Sequence, residues 1–179
     1  HEEGAEACKE ALENRTQEEQ RKMPTSYIVK LLSTILKSNC FLFLNKFYHQ
    51  VTGTAMGTPM APGYANLFMG KVERGILKEF ELKTGLRPSN WLRFLDDIFI
   101  VWPHGIERLR EFTEFMQNFS KNKKMKTNLQ FTFEMGASVP FLDTTVTLTP
   151  DGILITDLYS KPTDAHLYLR KDSCHPRSC

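Results

Sequence analysis

Cysteine is scarce in this chain and unpatterned: the four that occur, Cys8, Cys40, Cys174 and Cys179, form no Cys-x-x-Cys pair. That argues against a disulfide-stapled scaffold and fits a reducing compartment. No apolar run approaches the roughly 18 residues that a membrane crossing requires. No basic-then-apolar leader is present, and the chain opens on His1 rather than Met, which reads as a fragment of a longer protein. Neither the P-loop pattern nor the dinucleotide fingerprint occurs, which removes the two commonest phosphate-binding readings. Internal repeats and low-complexity linkers are missing too. Aspartate is the most uneven absence: reading from His1, the first one is Asp96.

What remains is ordinary for a globular protein. The 179 residues fit one domain, and 41% hydrophobic with 25% charged residues suffice for a real core. Net charge is +2, but residues 1–20 hold seven Glu against Lys9 and Arg15, or −5, so the other 159 residues carry +7. A moderately basic body is compatible with a polyanionic partner without requiring one.

Hydrophobic periodicity orders the chain. Ala5 to Gln20 reads as a solvated helix. A second helix starts at Pro24-Thr25 with Thr25 as N-cap, and Ile28, Leu31, Leu32, Ile35 and Leu36 form its core stripe. Cys40–Leu44 and Phe47–Val51 predict a hairpin across Asn45-Lys46. A helix beginning near Gly63 buries Tyr64, Leu67, Phe68, Val72, Leu77 and Phe80. Ile106, Leu109, Phe112, Phe115, Met116 and Phe119 mark another, ending in the basic run Lys121–Lys126, which suits a solvated helix end or a backbone phosphate. Strands follow over Leu129–Glu134, Val139–Leu148 and Ile153–Tyr159, with a turn at Pro150-Asp151-Gly152. The sum is an α+β domain, a mainly antiparallel sheet with helices packed on one face. Cys174, His175 and Cys179 are a weak zinc signal.

Two stretches carry chemistry. Trp91–Leu95 and Ile98–Trp102 read as short buried strands joined through Asp96-Asp97, a tight hairpin with both acids at its tip. Adjacent carboxylates repel unless a cation sits between them, so a Mg²⁺ site with hard oxygen ligands is one reading. An ordinary Asp-containing turn is the other, and this stretch alone leaves both open. Gly53 to Gly63 has three Gly and two Pro in eleven residues, a loop feeding a helix N-terminus. Backbone N–H groups there favour anions and glycines admit a close ligand, although a long capping loop would look the same.

Taken together, these stretches resemble the palm of reverse transcriptases. Gly53-Thr-Ala-Met-Gly-Thr-Pro-Met-Ala-Pro-Gly-Tyr-Ala-Asn66 is similar to motif B, Phe94-Leu-Asp-Asp97 to motif C, and Phe141-Leu142-Asp143 to the primer-grip turn. The wording G-T-A-M-G-T-P-M-A-P, the Trp…Asp-Asp-Ile-Phe hairpin, Lys161-Pro-Thr-Asp164 and Cys174-His-Pro176 resemble Penelope-like retroelement enzymes. Met56 and Ala61 depart from the Gln and Ser of many relatives, and Phe94 replaces the commoner Tyr.

The resemblance implies an RNA-directed DNA polymerase with a polymerase-type palm. Asp96 and Asp97 would be catalytic and hold two Mg²⁺, or Mn²⁺ in substitution. Gly53, Met56, Gly57, Thr58, Pro59, Ala61, Pro62 and Asn66 would meet the nucleotide and template. Phe94, Phe141 and Leu142 would meet the primer. An RNA template, a DNA primer and dNTP are the implied partners, with no membrane and no obligate protein partner. It further implies helices over 1–45 following a motif A strand, the palm over 46–165, and the start of the thumb connection over 166–179. The third metal-binding Asp is expected just ahead of His1, and no lysine falls clearly at the position where many palms carry a general acid, Lys126 being only a guess. The alternative is a non-catalytic nucleic-acid-binding remnant of a decayed or domesticated element. A third option is a plain metal-binding or structural domain. Nuclear, intracellular location is implied only by how such elements integrate.

Overall fold

Apolar residues three and four apart build the first elements of the chain, seen here in a computed structural model that describes residues 2–119, 129–163 and 174. The Lys121–Lys126 run, Asp164, His175, Pro176 and Cys179 lie outside the described residues. The chain divides into two compact units, His1–Phe133 and Glu134–Cys179.

The first unit opens with α1 (Glu2–Glu13), α2 (Gln17–Lys22) and α3 (Thr25–Lys37). A single helix over Ala5–Gln20 is not what forms. Thr16 caps α2: its hydroxyl accepts from the Glu19 amide while the Glu19 carboxylate accepts from the Thr16 amide, a capping box that ends one helix and starts the next. Nor is α1 solvated all round, since Gly4, Ala7 and Cys8 are buried. A Cβ on Gly4 would overlap the Tyr64 ring, so glycine is what lets α1 approach that closely. Burial pushes the Cys8 thiol up from its ordinary pKa, and does the same to the Tyr64 phenol. In α3, Pro24 takes the N-cap position and Thr25 lies inside the helix, where its hydroxyl accepts from Arg15. Leu32 and Leu36 are buried against Cys8 with Ala5, Met60 and Tyr64 around them, whereas Leu31 and Ile35 are exposed.

Strands β1 (Cys40–Phe43) and β2 (Lys46–His49) pair antiparallel, Phe43 opposite Lys46. The turn is therefore Leu44-Asn45, one residue earlier than the composition suggests. Both residues have positive φ, 47° and 58°, the backbone of a two-residue primed turn. Helix α4 (Ala61–Thr84) begins two residues before Gly63, with Pro62 in its first turn, and ends on Gly85 at φ 70°. Strands β3 (Asn90–Phe94) and β4 (Asp97–Val101) form a second hairpin, followed by α5 (Ile106–Phe119).

The core of this unit is Val72, Ile76 and Phe80 of α4 against Phe112, Met116 and Phe119 of α5. Phe112 is its centre: fully buried, it stacks on Trp102 at 4.9 Å and takes Phe80 and Trp91 edge-on at 4.8 and 6.3 Å. Leu67, expected on the buried face of α4, is exposed, and Ile76 takes that role. Leu129, Phe131 and Phe133 pack on the same core, but no strand forms over Leu129–Glu134.

In the second unit, β5 (Ser138–Phe141), β6 (Thr144–Leu148) and β7 (Leu154–Leu158) make an antiparallel meander in that order. The expected strand Val139–Leu148 is thus two, turned at Leu142-Asp143. Pro140 sits in edge strand β5, where a missing N–H is tolerated. The class is α+β with antiparallel strands, as the sequence implies, and the described strands form three separate sheets.

Because both tryptophans touch Phe112, Phe112→Ala is expected to lower the unfolding free energy by about 3–5 kcal/mol. Urea titration followed by tryptophan emission measures this, and the folded variant should emit further to the red.

Candidate functional site

The β3–β4 hairpin has two unlike faces. Pairing of Leu92 with Phe99 and of Phe94 with Asp97 puts these residues on one side, and Trp91, Arg93, Ile98 and Ile100 on the other. The second side rests on the helices through Trp91 and Ile100. The first is largely open: Leu92 is 55% and Phe94 56% exposed, so these strands are half-buried at most, not buried as their composition suggests. A two-stranded ribbon has only one face to give to its helices.

The turn is Leu95-Asp96, one residue earlier than the expected Asp96-Asp97, so Asp97 is the first residue of β4 rather than part of the tip, and Leu95 adopts φ 52°. A left-handed leucine costs on the order of 1–2 kcal/mol, so the surroundings must hold it. Arg93 supplies that hold. Its guanidinium donates to the Leu95 carbonyl at 3.0 Å, to the Asn66 side-chain oxygen at 2.8 Å and to the Asn66 carbonyl at 3.4 Å. It also lies 2.6 Å from the Glu73 carboxylate, with the two side chains only 15% and 14% exposed. Asn66 and Glu73 belong to α4. The Asp-Asp turn is thereby tied to the helix that the Gly-rich loop feeds.

Asp96 and Asp97 are both exposed, and among the described residues neither carboxylate has a hydrogen bond or an ion pair. Two adjacent, unneutralised hard oxygen donors fit Mg²⁺ or Mn²⁺ as ligands. No group of three Asp, Glu, His or Cys that could hold an ion gathers among the described residues.

The loop ahead of α4 is open. Gly53 and Gly57 have φ of 73° and 86°, and nothing lies within 4 Å of a Cβ at Gly57, so backbone conformation alone asks for glycine there. Met56 is fully exposed, and Gly53, Pro59 and Pro62 are exposed as well. The Thr58 hydroxyl donates to the Ala55 carbonyl, and the Thr58 carbonyl accepts from the Ala61 amide. With Pro62 lacking an N–H, two first-turn donors are not on offer to an anion. Ala61 is buried. Asn66 is engaged by Arg93.

Phe141 and Leu142 belong to the other unit, at its β5–β6 turn, where Leu142 also has positive φ, 56°. Phe-Leu-Asx with a left-handed leucine thus recurs at three hairpins, at Leu44, Leu95 and Leu142.

Residues 10–145 match the family described as reverse transcriptase (RNA-dependent DNA polymerase). The chain belongs to this family. No curated protein and no solved structure matches it significantly. The reverse transcriptase match takes in the Gly53–Pro62 loop, the Asp-Asp hairpin and the Phe141-Leu142 turn. Among the described residues no helix is long and apolar enough to cross a membrane.

Arg93 and Glu73 are absent from the sequence-based candidates for this reverse transcriptase site. The local signal is a lone arginine between the apolar residues of Trp-Leu-Arg-Phe, which hints at a paired charge without naming its partner. Arg93→Met strands the Glu73 carboxylate and is expected to destabilise the unit by roughly 2–4 kcal/mol. Adding Glu73→Leu should restore most of the loss, and urea unfolding of the single and double variants measures it.

Proposed function

We propose that the chain is the palm portion of an RNA-directed DNA polymerase of the Penelope-like kind its motif wording resembles. The observation that carries this reading is the exposed, unpaired Asp96-Asp97 pair at the end of the β3–β4 hairpin, tied through Arg93 to the helix that follows the Gly53–Pro62 loop, in a chain of the reverse transcriptase family. Asp96 and Asp97 would hold Mg²⁺, or Mn²⁺ in its place. Two ions bound there supply charge neutralisation on the triphosphate and acidify the primer 3′-hydroxyl. The chain's own residues orient the reactants. Gly53 to Pro62 would lie under the incoming nucleotide and template base, and Phe94, open on the hairpin face beside Asp97, would pack near the primer end. Phe141 and Leu142 would support the primer strand. In this reading the palm covers 46–165, with the helical lead before it and the thumb connection after it.

A pair of ions needs a third carboxylate. Where that third carboxylate is supplied, Asp96→Asn should reduce primer extension on an RNA template by at least roughly 100-fold. Extension that persists near the parent rate would sink the assignment.

The second reading is a non-catalytic nucleic-acid-binding remnant of a decayed or domesticated element. Mg²⁺-dependent dNTP binding speaks for the polymerase, and salt-sensitive RNA binding indifferent to Mg²⁺ with no dNTP binding beside it for the remnant.

A further inference from the structure

The β1–β2 hairpin exposes every one of its strand residues. Leu44 is 79% and Phe47 82% exposed, and Phe41, Leu42, Phe43 and Tyr48 are open as well. A two-stranded ribbon carrying that much apolar surface on both faces is marginal in water by itself, and a contiguous patch of this kind marks an interaction site.

Its chemistry narrows the partner. Register puts Phe41 opposite Tyr48 and Phe43 opposite Lys46, so three rings and one ammonium share a face. Phe41 and Tyr48 stack at 5.6 Å with 19° between their planes, and Phe43 leans on Tyr48 at 6.5 Å. The charge of the flanking sequence has one sign. From Arg21 to Val72 there are six Lys and Arg and no Asp or Glu. Lys37, at the end of α3 where the hairpin leaves, and Lys46, at its tip, are exposed and have no ion pair among the described residues. Exposed rings between cations, with no carboxylate in the segment, suit bases that stack while phosphates meet ammonium groups. A four-residue strand runs roughly 13 Å, the scale on which RNA-binding sheets stack two or three bases.

We propose that the Phe41–Phe43–Tyr48 face of the β1–β2 hairpin, with Lys37 and Lys46, is a stacking platform for single-stranded nucleic acid. It binds without reading sequence, through ring faces and phosphates. The site is separate from Asp96 and Asp97 and does not rest on the polymerase reading.

The test is fluorescence anisotropy of the full chain with a 5′-labelled oligouridylate in EDTA, so that no metal-dependent contact contributes. Phe41→Leu with Tyr48→Leu keeps apolar bulk and removes the stack, and should weaken binding about tenfold or more. Tyr48→Phe should bind like the parent, and Lys46→Gln should lower the salt slope by about one. Cross-linking of 4-thiouridine RNA to the parent chain should label the Phe41–Tyr48 segment, which reports the contact whatever the variants do to folding. Parent-like affinity in the double leucine variant, cross-links confined to other segments, or no RNA binding by the parent would overturn the proposal. So would a dimer in sedimentation that dissociates when the two leucines are introduced, since a second copy would then occupy the face.

Discussion

Arg93 is the constraint on which the placement of the acidic turn depends. One guanidinium is ion-paired with a carboxylate on α4 and donates hydrogen bonds to an asparagine on α4 and to the carbonyl of Leu95 on its own hairpin. Planar, multidentate donation is what arginine offers and lysine does not. Trp91 and Trp102 add the apolar half of the attachment by closing on Phe112. The hairpin that bears the acids is thus joined by polar contacts to α4, the helix that follows the glycine-rich loop, and by apolar contacts to α5.

The same local solution appears three times. Phe-Leu followed by Asn or Asp closes each two-residue hairpin, with leucine at positive φ. Asn and Asp tolerate such turns, but leucine has no intrinsic reason to do so. At Leu95 the surrounding hydrogen bonds explain its persistence. The recurrence also shows that turn geometry by itself does not single out a catalytic hairpin; what distinguishes the second is its pair of unneutralised acids and its tie to α4.

Much of this was legible in the residues, for reasons that can be named. The Asp-Asp hairpin, the loop running into α4 and the two core helices follow from strong periodicity and from Gly and Pro punctuation. The boundary between α1 and α2 needed the Thr16–Glu19 capping pair, which an Ala- and Glu-rich stretch conceals. The first two hairpins each slipped by one residue because leucine is a poor guide to a primed turn. Leu129, Phe131 and Phe133 do alternate, and their burial follows that alternation, but one-sided burial says nothing about a hydrogen-bonded neighbour, so no strand results. The candidate nucleotide loop was recognisable as a segment. That Asn66 would serve Arg93 was not, because long-range pairing of polar groups leaves no local pattern.

Whether Asp96 and Asp97 form a cation site is tested most directly by titrating Mn²⁺ into the isotope-labelled chain and following backbone amide signals. Paramagnetic broadening centred on Leu95 to Ile98, reversed by excess Mg²⁺, is the predicted result. Broadening confined to the glutamates of α1, or none at the hairpin, would contradict it.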